Sequence, residues 1–340
     1  MDVKALKTEI SKIHYDKSAK GWLFSFLCFC SKFYGYCAEL KNYLYDTEKL
    51  KPKRVNAFVI SVGNLTTGGV GKTPVVAEIA KYLKSKNKKV AIVSRGYGGK
   101  LSNKNINVIS DGEKIYYGAK LAGDEPYWLA KMTGCVVITS KNRYEASKFA
   151  VENFGINYII LDDGFQHRKL HRDLDIILVD SVKKFGNEHL LPAGPLRENV
   201  KSVKRADKII VVSKNTEHSE AEDYVLNLKK IYDKDVYLCK IEPDIVYNIS
   251  TGEKLGEKSK ITAVCAIGQP EQFYNFLKNY ELDATVTFDD HHIYVEDDLK
   301  NIKGCIVTTE KDAVKMKSFG LDNIFALRLK CDVEIEEIIK

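Results

Sequence analysis

A glycine-rich loop that ends in lysine and threonine is the part of this sequence best suited to chemistry. The loop reads Thr66-Thr67-Gly68-Gly69-Val70-Gly71-Lys72-Thr73. Glycines let successive backbone N–H groups turn toward an anion, a lysine neutralises β- and γ-phosphate oxygens, and a threonine hydroxyl can ligate Mg²⁺. The sequence therefore predicts that residues 66–73 bind the phosphates of a nucleotide, with Lys72 also acting in catalysis.

The segments on either side of the loop are those that a phosphate-binding loop requires. Residues 56–63 predict a buried strand before it, and apolar residues at helical spacing over 75–83 predict an amphipathic helix after it. The loop departs from the pattern G-x-x-x-x-G-K-[ST] at one point, because Thr66 stands where that pattern has glycine. The alternative is an ordinary glycine-rich turn, which the order of strand, loop and helix disfavours.

Two carboxylates follow a second apolar strand. Residues 158–161 predict that strand, and Asp162-Asp163-Gly164 comes directly after it. Phosphate-binding α/β proteins place an acid at the end of a neighbouring central strand, where it holds Mg²⁺ directly or through water. An Asp-Asp-Gly turn after any buried strand is the alternative. With Thr73 upstream, the pair predicts a magnesium site.

Three further segments supply weaker candidates. Arg95 lies in a glycine-rich loop after a strand predicted at 89–94, where it could reach a phosphate, although a surface turn is nearly as plausible. Asp124 and Glu125 open a predicted helix, where paired acids are often only a cap. Arg197 and Glu198 follow a loop stiffened by two prolines, and Arg197 would suit an anionic group.

Length and composition indicate an α/β protein of two domains. The chain has 340 residues, of which 44% are hydrophobic and 29% charged, with a net charge of +7 spread along it. That charge suits an anionic ligand or membrane better than sequence-specific DNA. We expect an N-terminal helical segment at 1–54, a mostly parallel sheet flanked by helices at 55–240, and a smaller α/β domain at 241–340.

The cysteines and histidines do not predict a metal site. The eight cysteines form no C-x-x-C pair and mostly lie in apolar runs, so we expect small buried hydrophobic residues in a reducing cytosol, without zinc. His291 and His292 lack other ligands at metal spacing. A histidine beside an acid could assist a general base, although a histidine in a surface loop is commoner.

The N-terminal region has a membrane-surface character. Apolar residues recur at helical spacing over 21–44, with lysines at the margins. The uninterrupted apolar run is about nine residues, whereas a spanning helix needs roughly 20. We therefore expect a helix that lies on a membrane, and no cleavable signal peptide. A helix packed on the protein's own core is an equally good interpretation of the residues alone.

Seven blocks of this sequence, in order and spread over nearly the whole chain, resemble the tetraacyldisaccharide 4′-kinase family of lipid A biosynthesis. They are Gly63–Pro74, Ser94–Gly99, Gly123–Pro126, Asp162–His167, Leu191–Glu198, Asp290–His292 and Thr309–Asp312. The family's loop shares the departure at Thr66.

The resemblance implies an ATP- and Mg²⁺-dependent kinase. Such a kinase transfers the γ-phosphoryl group of ATP to the 4′-hydroxyl of a tetraacylated disaccharide 1-phosphate, at the cytoplasmic face of the bacterial inner membrane. It implies Asp124 as the proton acceptor with His291 as its partner from the other domain, so that domain closure would complete the site.

The resemblance also distributes the remaining candidates between metal and substrate. Thr73 would hold Mg²⁺ together with Asp162 or Asp163, and Glu125 would support either the metal or the acceptor. The substrate residues would then be Arg95, Gln166, His167, Arg197 and Glu198. The partners expected are the lipid A disaccharide precursor and the membrane surface, with no nucleic acid.

Two other classes share the strand, loop and helix. A P-loop GTPase or metallochaperone usually carries an Asn-Lys-x-Asp segment, which this chain lacks, and Thr309–Asp312 has the wrong spacing. A peripheral membrane ATPase would hydrolyse ATP without a lipid acceptor, whereas a kinase would be nearly silent until the acceptor is added.

Overall fold

The computed structural model describes residues 3–102, 104–214, 218–268, 270–289 and 292–340. Within these ranges, twelve strands form one sheet in the order β10-β9-β11-β12-β8-β7-β6-β1-β5-β2-β4-β3. The strands are β1 Phe58–Gly63, β2 Val90–Ser94, β3 Asn107–Asp111, β4 Val136–Thr139, β5 Tyr158–Asp162, β6 Leu174–Asp180, β7 Lys208–Ser213, β8 Asp235–Asn248, β9 Lys260–Cys265, β10 Glu281–Thr287, β11 Cys305–Thr309 and β12 Ile324–Asp332.

Ten α-helices accompany the sheet in the described part of the chain. They are α1 Val3–Ile13, α2 Trp22–Asp46, α3 Lys72–Ser85, α4 Ala119–Ala122, α5 Asp124–Thr133, α6 Arg143–Phe154, α7 Ser219–Tyr232, α8 Pro270–Phe276, α9 Glu310–Met316 and α10 Ile335–Ile339. Short 3₁₀ segments occupy Val200–Arg205, Glu296–Asp298 and Lys317–Phe319.

The centre of the sheet is parallel and buried on both faces, as expected for a mostly parallel α/β sheet flanked by helices. β1 lies between β5 and β6, and β5 lies between β1 and β2, all in parallel register. Their residues are apolar in nearly continuous runs, because each strand packs against helices above and below. The predicted fold class is confirmed.

One long strand joins the two predicted domains. β8 pairs in parallel with β7 through residues 235–240 and antiparallel with β12 through residues 240–248. The strand therefore runs through the predicted boundary at 240/241, and the sheet continues from one part into the other. The two-domain division itself stays a prediction.

The structure differs from the sequence-based expectations in three strands and in the cysteines. The edge strands β3 and β10 were not predicted, because their residues are partly exposed and lack the long apolar runs of the centre, and the interior strand β12 was not predicted either. Only Cys135, Cys239 and Cys265 are buried, and Cys37 is exposed, so the expectation that most cysteines are core residues was wrong.

Helix α2 packs against the protein along a narrow face of small residues. Its buried residues are Leu27, Ser31 and Gly35. Ser31 Oγ lies 2.8 Å from the Leu190 carbonyl oxygen and accepts a hydrogen bond from the Ala193 N–H. A Cβ at Gly35 would lie 2.7 Å from Leu190, so the helix approaches this loop as closely as glycine allows.

The opposite face of α2 leaves seven large side chains exposed at alternating spacings of four and three residues. We call them the aromatic stripe: Trp22, Phe26, Phe29, Phe33, Tyr36, Leu40 and Tyr43. One face of the helix therefore packs on the protein, as the second interpretation expects, and the position of the helix on a membrane stays a prediction. No helix in the described ranges is both long enough and apolar enough to cross a bilayer.

Candidate functional site

The site lies where β1, β5 and β2 end together. Val62 of β1 is paired with Asp162 of β5, and Leu161 is paired with Val93 of β2. Because these strands are parallel, the glycine-rich loop, the two aspartates and the Ser94 hydroxyl emerge at one edge of the sheet. In open α/β sheets, ligands bind at this edge.

Lys72 and the two aspartates meet at this edge as the sequence predicts. The Lys72 ammonium lies 3.5 Å from Asp163 Oδ1 and donates a hydrogen bond to Asn64 Oδ1 at 3.0 Å. Its side chain is only 15% exposed. The ammonium is therefore held between the loop and the end of β5, where it can face phosphate oxygens.

Asp163 is the anionic centre of a network of cations. Its backbone has a positive φ of 56°, and both carboxylate oxygens accept hydrogen bonds from Arg197, at 2.9 and 2.7 Å. Burial raises the pKa of Asp163, but the charges of Lys72 and Arg197 outweigh burial and leave the pKa below its ordinary value. Asp163 is therefore ionised.

Asp162 lies deeper and has the opposite electrostatic character. Burial, together with the charges of Glu125 and Asp163, raises the pKa of Asp162 to about 7. Lys72 and a hydrogen bond with Ser94 oppose that rise only in part. Three carboxylates thus lie close together in one corner of the site, around the buried Asp162, which favours the binding of a cation.

The donor set of this corner fits Mg²⁺. Magnesium prefers oxygen ligands and is usually bound by one or two carboxylates together with substrate phosphates. Thr73, Asp162, Asp163 and Glu125 supply such oxygens. Among the described residues, no group of three or more His, Cys, Asp or Glu side chains is spaced to hold a metal alone. A metal here would therefore depend on phosphate oxygens for the rest of its coordination.

The loop itself is held by contacts with distant segments. Asn64 Nδ2 donates to the Thr66 carbonyl oxygen at 2.7 Å, and the Thr67 N–H donates to Pro195 O at 2.7 Å. The buried Lys214 ammonium donates to Gly69 O and lies 3.3 Å from Asp180. These contacts fix the loop's backbone from both sides.

Asp124 is the first residue of α5 and lies against the C-terminal part of the chain. Its carboxylate forms an ion pair with Lys315 of α9, with Oδ2 3.0 Å from the ammonium. Gly123 precedes it with a φ of 94°, a conformation that favours glycine. The predicted partner His291 lies outside the described residues, so the Asp124–His291 pairing stays a prediction.

The predicted substrate residues have different surroundings. Arg95 is exposed beside the site. Gln166 donates to Asn64 O at 3.0 Å and lies 3.4 Å from Arg197, and burial lowers the pKa of His167 to about 3, so that imidazole is neutral. Glu198 is buried and pairs with Arg205 at 2.8 Å.

Four residues of this region were not among the predicted site residues. Arg143, Lys214 and Lys315 are largely buried cations close to site carboxylates or the loop, and Asn64 holds Lys72. Asn64 precedes the glycine-rich loop directly in the sequence, so its position there could have identified it as a candidate. The other three come from remote segments with no pattern of their own, so only the packing reveals them.

The loop geometry makes one glycine far less replaceable than another. Gly71 has a φ of 106°, and a Cβ there would lie 2.9 Å from Ile241 Cδ1. Left-handed backbone costs a non-glycine residue roughly 1–2 kcal/mol.

We expect Gly71→Ala to weaken ATP binding about tenfold or more, as measured by isothermal titration calorimetry. Gly118→Ala is the matched control, since Gly118 has a φ of −72° and open space around its Cβ position. Equal affinities for the two variants would contradict the inferred role of the loop.

Comparisons with known proteins agree with this geometry. A family model described as tetraacyldisaccharide-1-P 4′-kinase matches residues 23–340. The tetraacyldisaccharide 4′-kinase of Halothermothrix orenii is 37% identical over 325 residues, covering 88% of this chain and 83% of that protein. That of Desulfotalea psychrophila is 38% identical over 317 residues, covering 89% and 91%.

A solved structure extends the likeness to three dimensions. The crystal structure of LpxK from Aquifex aeolicus in complex with ATP has a TM-score of 0.77 and 35% identity, covering 94% of this chain and 97% of that one. The family match spans almost the whole chain and includes the loop, the paired aspartates and the helix that carries Asp124. The chain therefore belongs to the tetraacyldisaccharide-1-P 4′-kinase family.

Proposed function

We propose that this chain transfers the γ-phosphoryl group of ATP to the 4′-hydroxyl of a tetraacyldisaccharide 1-phosphate, forming the 4′-phosphorylated lipid A precursor, lipid IVA. One observation carries the proposal: Lys72 and the Asp162–Asp163 pair converge at one sheet edge, flanked by the helix that carries the aromatic stripe. Family membership supports the choice of substrate.

The phosphates of ATP are bound by the loop. Backbone N–H groups of residues 68–73 and the Lys72 ammonium face the β- and γ-phosphates, because phosphoryl transfer depends mainly on positioning and charge neutralisation. Thr73, Asp162, Asp163 and Glu125 would hold Mg²⁺. When bound, the ion neutralises charge on the transferring group.

Asp124 accepts the proton of the attacking hydroxyl. As the 4′-oxygen bonds to the γ-phosphorus, its proton passes to the Asp124 carboxylate, and the bond to the β–γ bridging oxygen breaks with its electron pair leaving on ADP. His291 orients Asp124 in this proposal. Asp124 precedes Glu125 at the start of α5, and Glu125 is close enough to Asp162 at the end of β5 to raise the pKa of Asp162, which supports this role.

The acceptor reaches the site from a membrane surface, along α2. Aromatic residues with lysines at the margins favour an in-plane position at a bilayer interface. The inner face of the same helix contacts the site: Tyr34 donates to Arg197 O at 3.0 Å, and Lys41 donates to Gln166 O at 2.8 Å. A sugar head group at the interface would therefore lie beside the phosphate edge. We place the enzyme at the cytoplasmic face of the bacterial inner membrane.

Transfer of labelled phosphate tests the proposed reaction directly. The chain is incubated with γ-³²P-ATP and the tetraacylated disaccharide 1-phosphate in detergent, with and without Mg²⁺. We expect label on the lipid only when lipid, Mg²⁺ and enzyme are all present. Rapid release of labelled inorganic phosphate without lipid would favour a membrane ATPase instead, and activity with GTP alone would favour a GTPase.

Removal of the proposed base separates chemistry from nucleotide binding. We expect Asp124→Ala to lower kcat by about 10² to 10⁴ because no carboxylate accepts the proton, whereas the dissociation constant for ATP stays near that of the wild type. Lys72→Ala serves as the contrast, because it should weaken ATP binding and lower the rate together. Wild-type turnover in Asp124→Ala would remove Asp124 from the mechanism.

Flotation with vesicles tests the aromatic stripe. In vesicles of anionic and zwitterionic phospholipids, we expect Phe29→Ser/Phe33→Ser to lose most membrane binding, since these residues are 74% and 75% exposed and each would bury its apolar area in the bilayer. Activity on acceptor in detergent should be retained. Leu226→Ser/Ile231→Ser is the matched control, as both residues are exposed on α7 and are not part of the stripe.

Two results of the flotation experiment would count against a membrane role for the stripe. One is equal flotation of the two double variants. The other is a wild-type dimer that becomes a monomer in the stripe variant, which would mean that the stripe joins two copies of the chain.

A further inference from the structure

Lys315 is the charged contact between the helix of the proposed base and the C-terminal part of the chain. Its ammonium lies 3.0 Å from Asp124 Oδ2 and 3.1 Å from Asp312 Oδ1. The side chains of Lys315 and Asp124 are only 11% and 13% exposed, and Asp312 is fully buried. The ion pair is therefore shielded from water, and its geometry is constrained by packing.

The ammonium has three well-placed acceptors for its three N–H donors. Besides the two carboxylates, it donates to the His292 carbonyl oxygen at 3.3 Å. The ring of Tyr294, itself buried, lies 5.7 Å from the ammonium. With two donors directed to Asp312 and His292, the direction of the third, toward Asp124, is fixed.

Asp312 anchors this arrangement to the sheet. Its Oδ2 accepts hydrogen bonds from the Ala266 N–H at 2.9 Å, just after β9, and from Thr309 Oγ1 at 3.1 Å, at the end of β11. Thr309 also caps α9 by accepting from the Asp312 N–H. Lys315 is therefore held in place, through Asp312, by residues at the ends of β9 and β11.

We propose that Lys315 is a positioning residue, which holds the Asp124 carboxylate in the orientation that accepts the proton of the acceptor hydroxyl. The inference rests on the proposed role of Asp124. A charge-assisted hydrogen bond fixes one oxygen, Oδ2, and leaves Oδ1 for other partners. The C-terminal part of the chain then contributes to the transfer through Asp124.

A pair of variants in two backgrounds tests this role. Lys315→Met and Lys315→Arg are made in the wild type and in Asp124→Asn, and kcat for the tetraacylated disaccharide 1-phosphate and KM for ATP are measured. A misplacement of about 1 Å at a reacting group costs on the order of 10² in rate. We expect Lys315→Met to lower kcat by about that factor with KM for ATP unchanged, and Lys315→Arg to recover part of it. In the Asp124→Asn background, neither change should lower kcat further.

The outcomes separate this inference from the proposed function. If Asp124→Asn is slow but Lys315→Met keeps kcat within about twofold of wild type, the positioning role is wrong and the proposed base stands. If Asp124→Asn itself keeps full activity, the base assignment fails, and the inference fails with it. Losses that multiply in the double variant would also overturn the inference, because Lys315 would then act independently of Asp124.

Two control variants distinguish a loss of positioning from a loss of folded protein. Lys260→Met removes a lysine that pairs with Asp283 on the surface, at 2.8 Å, and should leave kcat, KM and the melting temperature unchanged. If Lys315→Met does not fold, Lys315→Arg decides the question, since it keeps a cation beside Asp312. We expect it to lower kcat only where Asp124 is present, and an equal loss in Asp124→Asn would overturn the inference.

Discussion

The site depends on the balance between carboxylates and cations at the carboxyl ends of the central strands. Asp162, Asp163 and Glu125 lie so close together that burial and mutual repulsion raise the pKa of Asp162. These carboxylates are stable in the folded protein only if cations lie next to them, since an unpaired buried charge is strongly unfavourable. Lys72 and Arg197 supply that charge from the loop and from the segment after β6.

This constraint also explains why the same residues are suited to phosphoryl transfer. In the proposed reaction, the nucleotide would bring phosphate oxygens and a divalent cation into a corner that already contains carboxylates on one side and ammonium and guanidinium groups on the other. Little reorganisation is then needed, because the opposing charges are already held in place. The ion pair between Arg197 and Asp163 keeps both groups ordered next to the face of α2 that contacts residues 166 and 197.

The continuous sheet connects the C-terminal part of the chain to this corner. β8 pairs with β7 on one side and with β12 on the other, and α5 packs against α9. The contact between Lys315 and Asp124 lies at that helix pair. Residues far apart in sequence are thereby brought to hydrogen-bond distance by strand pairing and helix packing.

The strands and site residues that could be predicted from the sequence are those whose signal lies in the residues next to them along the chain. Strands β1, β2 and β5 were predicted because residues buried on both faces form unbroken apolar runs, and the glycine-rich loop, Lys72 and the Asp162–Asp163 pair follow from their position after such runs. The partly exposed strands β3 and β10 have no comparable signal, because only one face of each packs against the core. Family membership, too, rests on local blocks of residues.

Only the tertiary structure decided which face of α2 meets the protein, which cations oppose the carboxylates, and which lysine contacts Asp124. In α2, periodicity located an apolar stripe but could not orient it, and close packing of Ser31 and Gly35 against the loop at Leu190 turned the aromatic residues outward. Lys214 and Lys315 are single lysines without a motif. Their importance arises from burial beside a carboxylate, and that proximity is created by the register of the sheet rather than by spacing along the chain.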